Sequence, residues 1–294
     1  MRVFRFQKHV YPEASAFLNR LYAEHAAKVT ASSGTTIEFH GLPPGTYDGT
    51  LPEHLVGYGE IRQLFGDFFA ASAVAAERDG CDAWISGAGQ DPGLAAARAR
   101  VGIPVVGYGE TVWWRARAEE QQLGPIGIVP KLEEQICANI RAAGAHVALY
   151  QVIDDGPAIV ERALAEDFEP FLRAYGAAAV RAAVAGADWI VPAEGIPNEL
   201  LVHLGIHDLA GFDLTHIEAE IDASPMLARL NDDDLYDWLA QRRVIDPGGM
   251  AIATAEHLCR LRERPIGARP RRRRPPRAVV EHVERALGIS GAVR

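Results

Sequence analysis

GCDAWISGAGQDPGLAAARARVGI, residues 80–103, and GADWIVPAEGIPNELLVHLGI, residues 186–206, open alike. Each runs from a Gly and an Asp through a short apolar strand into a Gly-containing turn, then into residues at helical spacing. Aligned without gaps, Asp82 falls on Asp188, Ala88 on Glu194 and Gly89 on Gly195. A second match, weaker, sets FQK (6–8) against VPK (129–131) and so Lys8 against Lys131. Two matches in the same order point to a duplicated unit.

The flanking sequence fits that reading. RVFRF (2–6), TTIEFHG (35–41), DAWIS (82–86) and IPVVGYG (103–109) read as strands separated by helical patterns at 13–29, 57–79 and 91–100. The order then restarts with strand PIGIV (125–129), a helix ending on Gly144, strand HVALYQV (146–152), an Ala-rich helical stretch over 157–185 and strand DWIVP (188–192). Strands joined by helices of ten or so residues build parallel sheets. The expected fold is therefore α/β: two similar lobes related by a pseudo-twofold axis, each a parallel sheet flanked by helices, with a cleft between them. Residues 1–115, completed by a strand and helix at about 242–262, form the first lobe. Residues 116–241 form the second, with a helical insertion at 207–241, and 263–294 is a basic Pro/Arg arm with a short amphipathic helix.

Composition narrows the functions. Among 294 residues, 39 acidic side chains outnumber 30 basic ones, a net charge of −9 that argues against a nucleic-acid binder despite the run RPRRRRPPR. No apolar run reaches the roughly 18 residues of a membrane helix, and MRVFRFQKHVYPE lacks a signal-peptide core, so a cytoplasmic address without membrane association is expected. The three cysteines show no CxxC spacing and read as small buried hydrophobes. An assembly arm in the C-terminal segment makes a homo-oligomer the expected state.

Ligands of open parallel sheets bind beyond the carboxyl ends of the strands. Facing lobes would thus present Gln7, Lys8, His9, His40, Gly87, Ala88, Gly89, Gln90, Glu110, Lys131, Glu194 and Gly195 to one small molecule. Asp91 reads as the cap of a helix with Pro92 in its first turn, and Trp113–Trp114 as pocket lid or interface packing. His9, His40 and Glu194 match a two-His, one-carboxylate metal site in ligand type, so a divalent metal stays open as an alternative.

The block DGCDAWISGAGQDPGLAAARARVGIPVVGYGET, with GADWIVPAEG and RRVIDPGGMAIATAEHL, resembles the aspartate/glutamate/hydantoin racemase superfamily over roughly residues 1–260. The resemblance implies a two-lobed fold, an interlobe site and no organic cofactor. Such racemases use one cysteine per lobe on opposite faces of the substrate; the matching positions here are Ala88 and Glu194, and Gln7-Lys8-His9 stands where the family has Asn-Pro-Asn. A two-thiol racemisation is therefore not expected. The resemblance instead implies an isomerase, lyase or hydrolase acting on a small carboxylate, amide or cyclic ureide. Glu194 is its general acid/base, with Lys131, Lys8 or His9 as a second proton donor or as a stabiliser of enolate-like charge. A metal-dependent hydrolase on this scaffold and a noncatalytic small-molecule binder are the rival readings.

Overall fold

The computed structural model describes residues 1–10, 15–47, 55–263 and 277–286. In the first lobe the order is β1 (Val3–Gln7), α1 (Ala16–Thr30), β2 (Thr36–His40), α2 (Gly59–Arg78), β3 (Ala83–Ser86), α3 (Leu94–Arg100), β4 (Val105–Gly107) and α4 (Tyr108–Ala118). The second runs β5 (Gln122–Gly127), α5 (Glu133–Ala143), β6 (His146–Val147), β7 (Gln151–Val152), α6 (Gly156–Leu164), α7 (Glu169–Val184), β8 (Trp189–Pro192) and α8 (Gly195–Leu204). Then follow α9 (Leu214–Ala223), α10 (Asp232–Ala240), β9 (Arg243–Val244), α11 (Pro247–Glu263) and α12 (Arg277–Ala286).

Both sheets are parallel and share one topology. The first has the order β2-β1-β3-β4; the second has β6-β5-β8-β9, with β7 also on β5. The central strands are apolar on both faces, as sheets covered by helices on each side require. Phe4, Phe6, Ala83, Trp84 and Ile85 are buried in one lobe, and Leu123, Ile126, Ile190 and Val191 in the other.

The duplication extends to individual hydrogen bonds. Asp82 accepts the Val3 N–H at 2.9 Å through its side chain, and Asp188 accepts that of Gln122 at the same distance. Gly87 N–H reaches Gln7 O at 2.7 Å, as Ala193 N–H reaches Ile126 O at 2.9 Å. Phe4 pairs with Ala83 as Leu123 pairs with Trp189, so Gln7 corresponds to Ile126 and Lys8 to Gly127. The weaker sequence match therefore slips by four residues: Lys131 is not the counterpart of Lys8.

Several boundaries move. HVALYQV splits into β6 and β7, the 157–185 stretch breaks into α6 and α7, and DPGL joins no helix until Leu94. Asp91 adopts φ +51°, and its carboxylate caps a different helix, accepting from Gly109 and Glu110 N–H at the start of α4. The strand expected to complete the first lobe, β9, joins β8 in the second sheet, whereas α11 packs on α1, α4 and β3 of the first. The 207–241 insertion is helical and lies against α7. The arginine run lies outside the described residues; Val279, Val280 and Val283 of α12 are exposed. Among the described residues, no helix is long and apolar enough to cross a membrane.

Candidate active site between the lobes

The turns after β3 and β8 meet back to back. A Cβ at Gly89 would collide with the Ala193 carbonyl, and one at Gly195 would stand 2.8 Å from the Tyr22 hydroxyl. Glycine is needed at 89 for this approach. Beside the junction is a cavity of about 80 Å³ lined by Lys8, His9, Tyr22, Gly87, Ala88, Gln90, Glu194 and Gly195, with apolar walls from Val10, Val56, Val129, Leu132 and Ile196.

Glu194 precedes α8, and its carboxyl turns to the loop after β5, accepting N–H groups of Ile128 at 3.1 Å and Val129 at 3.3 Å. Burial pushes its pKa up to about 8 against the opposing effect of those two donors. At neutral pH it is a carboxylic acid, able to give a proton. Gly127 leaves the room it occupies: a Cβ there would lie 2.5 Å from the Tyr150 hydroxyl and 3.2 Å from Glu194 Oε1.

Lys8, at the end of β1 and 2% exposed, donates to Asn19 Oδ1 at 2.7 Å and lies over the Tyr22 ring, 4.5 Å from its centroid. Desolvation lowers its pKa to about 8, with Glu199 pulling the other way. His9 is wedged against Phe65 and Phe69, and burial lowers its pKa to about 4. Its Nε2 is 2.9 Å from Gln90 Nε2, so the amide donates to a neutral ring that carries its proton on Nδ1, which has no partner. His9 and Gln90 also border an open cleft of about 910 Å³ that includes Arg98, Glu110, Trp113 and Trp114.

Other residues singled out from sequence stand elsewhere. Gln7 accepts from Ser72 at 2.5 Å and donates to the Lys8 carbonyl, bracing β1 against α2. His40 sits at the sheet edge, 3.7 Å from Glu38, and Lys131 is exposed over the Tyr58 ring. Glu110 pairs with Arg98 in the outer cleft. His9, His40 and Glu194 are not gathered, and among the described residues no cluster of three or more His, Cys, Asp or Glu side chains is placed for a metal ion. The cysteines are free; Cys81 and Cys259 are buried and Cys137 is half-buried, none on the cavity wall.

Sequence reasoning missed His25, Glu199 and Asp246, which meet behind the cavity. A signal was present: Asn198 and Glu199 interrupt an otherwise apolar helix, and polar groups forced into such a face need buried partners.

Two parallel sheets with a cavity between the lobes define a class of two-lobed α/β proteins. The chain belongs to the Asp/Glu/Hydantoin racemase family, whose model matches residues 10–191. Among solved structures it is similar to allantoin racemase from Klebsiella pneumoniae, with 18% identity, 89% of each chain covered and a TM-score of 0.60. Glutamate racemase from Bacillus anthracis matches with 14% identity over 98% of this chain and 94% of that one, TM-score 0.56. A mutant of arylmalonate decarboxylase matches with 13% identity over 91% and 94%, TM-score 0.50. At these identities the structures show a common fold. No curated protein matches the sequence significantly.

Proposed function

We propose that this racemase-family enzyme transfers a proton at one face of a carbon adjacent to a carbonyl, in a small carboxylate, amide or cyclic ureide, without an organic cofactor. The observation that carries the reading is the cavity's asymmetry: its wall takes the buried Glu194 from the second lobe and, from the equivalent place in the first, the Ala88 methyl. A methyl group transfers no proton, so exchange between two acid–base groups on opposite faces has no second partner there. In the lyase case the C–C bond to a departing carboxylate breaks, CO2 leaves and the bond's electron pair stays on the carbon as an enolate, to which protonated Glu194 donates. In the isomerase case ionised Glu194 first takes the proton that it returns. The carboxylate form is held by the Ile128 and Val129 N–H groups. The Lys8 ammonium supplies a counter-charge for the substrate's carboxylate or enolate oxygen. The chemistry fits an isomerase or a lyase that protonates its product from a fixed side.

The test is turnover in D₂O with a panel of allantoin, aspartate, glutamate and an arylmalonate, followed by proton NMR and chiral chromatography. Deuterium incorporated into a single enantiomer supports one-sided transfer; racemised, labelled product overturns it. Glu194→Gln should fold and lower turnover by about two to four orders of magnitude. A folded variant at the wild-type rate would also sink the reading.

A further inference from the structure

Where α1 meets α8, His25 is held between two carboxylates. Its Nδ1 lies 3.0 and 3.1 Å from the Glu199 oxygens, and its Nε2 2.8 Å from Asp246 Oδ2. Asn198 Nδ2 donates to Asp246 Oδ1 at 3.0 Å and Glu199 Oε1 at 3.3 Å, and Gly249 N–H to Asp246 Oδ1 at 2.9 Å. Burial raises the Glu199 pKa and the His25 bond and charge pull it back. With both carboxylates ionised they only accept, so both ring nitrogens donate and the ring is an imidazolium. Burial alone would lower the His25 pKa; the bonds and charges of Asp246 and Glu199 outweigh it and raise it to about 10. His25 is 5% and Glu199 1% exposed.

The cluster spans the lobe boundary. His25 is on α1, which also carries both partners of Lys8, Asn19 and Tyr22. Glu199 is on α8, the helix that opens right after Glu194. Two cations, Lys8 and His25, then balance two carboxylates, Glu199 and Asp246. The other titratable groups near Glu199 are the buried hydroxyls of Tyr22 and Tyr108, whose pKa values burial raises, leaving them neutral.

We propose that His25, Glu199 and Asp246 form a positioning triad that fixes α8 against α1, setting Glu194 and Lys8 in the cavity. The assignment of catalytic roles to Glu194 and Lys8 rests on the proton-transfer reading above; the triad's electrostatic link to Lys8 does not. Two NMR titrations read that link without substrate. In the wild-type protein, nitrogen shifts of His25 should show both ring nitrogens protonated at pH 7, and a neutral ring overturns the triad. In Glu199→Gln the Lys8 midpoint should fall relative to wild type, because the Glu199 charge favours the charged lysine, and an unchanged midpoint overturns the proposal. Thr35→Val removes a buried 2.7 Å bond to Glu256 remote from the cavity and should leave that midpoint in place. With a substrate in hand, His25→Gln should lower turnover about tenfold to a hundredfold by displacement of α8. Shifted midpoints with no proton transfer in any arm would keep the triad and remove the catalytic reading.

Discussion

The two lobes share strand order and register yet put opposite chemistry at equivalent places. In the first, the end of the leading strand carries Lys8 and the turn after the third strand carries Ala88; in the second, the same positions are Gly127 and Glu194. Each lobe carries one ionisable side chain at these two places and a methyl group or a hydrogen at the other. The small residues are linked to the large ones. Gly127 vacates the volume into which the Glu194 carboxyl folds, and Ala88 leaves an apolar wall beside Lys8. A duplicated scaffold therefore need not give a symmetric site. It offers two addresses for each role, and the division between cation and acid makes the cavity one-sided.

That division can be broken at either address. After loss of Glu194 itself, the largest effect is expected from Lys8→Met, which keeps the stem and removes the charge. Turnover should fall by about two to three orders of magnitude, the scale of a lost group stabilising developing negative charge. The pH profile sharpens the point. Glu194 is an acid only below about 8, and Lys8 a cation only below about 8, so activity should be flat through neutrality and fall above that value. Wild-type activity should fall with a slope approaching two and Lys8→Met with a slope of one. A wild-type profile that rises through pH 8 would mean that ionised Glu194 is the working form.

Gly127→Ala comes next. Its methyl group would meet the Tyr150 hydroxyl and Glu194 Oε1, and one of them must move. Displacing the acid by a fraction of an ångström to an ångström should cost about a hundredfold in turnover. The matching change in the first lobe, Ala88→Gly, touches no acid and should cost far less. Equal losses would show that the lobes contribute alike.

Glu194→Gln also tests the comparison through stability. The folded-state pKa of about 8 is above the ordinary glutamate value of 4.5, so folding at neutral pH forces a proton onto a group that is ionised in the unfolded chain. The stabilising effect of that protonated group is complete below about 4.5 and is lost as pH rises through about 8. Glutamine carries no such penalty. The variant should fall below wild type near pH 4 by the roughly 1–2 kcal/mol of one lost N–H acceptor and exceed it at pH 7 by on the order of 1–2 kcal/mol, where the protonation cost of the glutamate is the larger effect. Urea unfolding at the two pH values measures this, and a variant less stable at pH 7 would place Glu194 as a structural anion. A gain in stability with a loss of turnover is the usual signature of a strained catalytic group.

Much of this was legible in the sequence, for reasons that also mark where reading stopped. The third strands repeat because each must start on an Asp that accepts a backbone N–H and end on a turn packed against the other lobe, so Asp82/Asp188 and Ala88/Glu194 align on sight. The leading strands have no such fixed point beyond a lysine near their ends, and matching lysine to lysine moved the register by four residues. The fourth strand of the second sheet is only Arg243–Val244, too short to show a period, and its helix crosses to the other lobe. The His25 triad joins residues 174 and 221 positions apart, a relation that local pattern does not encode.

The smallest effects should come from His40 and Lys131, which strand-end position and the lysine match had placed on the cleft. His40 is the counterpart of neither functional address: it ends β2, with its ring 43% exposed beside Glu38. An exposed pair of this kind contributes no more than about 1 kcal/mol. Lys131 covers Gly57 and the Tyr58 ring from the solvent side, away from the wall that holds Glu194. His40→Ala and Lys131→Ala should therefore each leave turnover within about twofold of wild type, the range of surface changes that touch no reacting group. Steady-state kinetics of both variants against Lys8→Met is the sharpest form of the comparison, because all three residues lie near strand ends and only Lys8 lines the cavity. If Lys131→Ala fell as far as Lys8→Met, the loop after β5 would have to close over the cavity during turnover. The cation would then belong to the second lobe, on the same side as the acid, and the division of roles between the lobes would be lost.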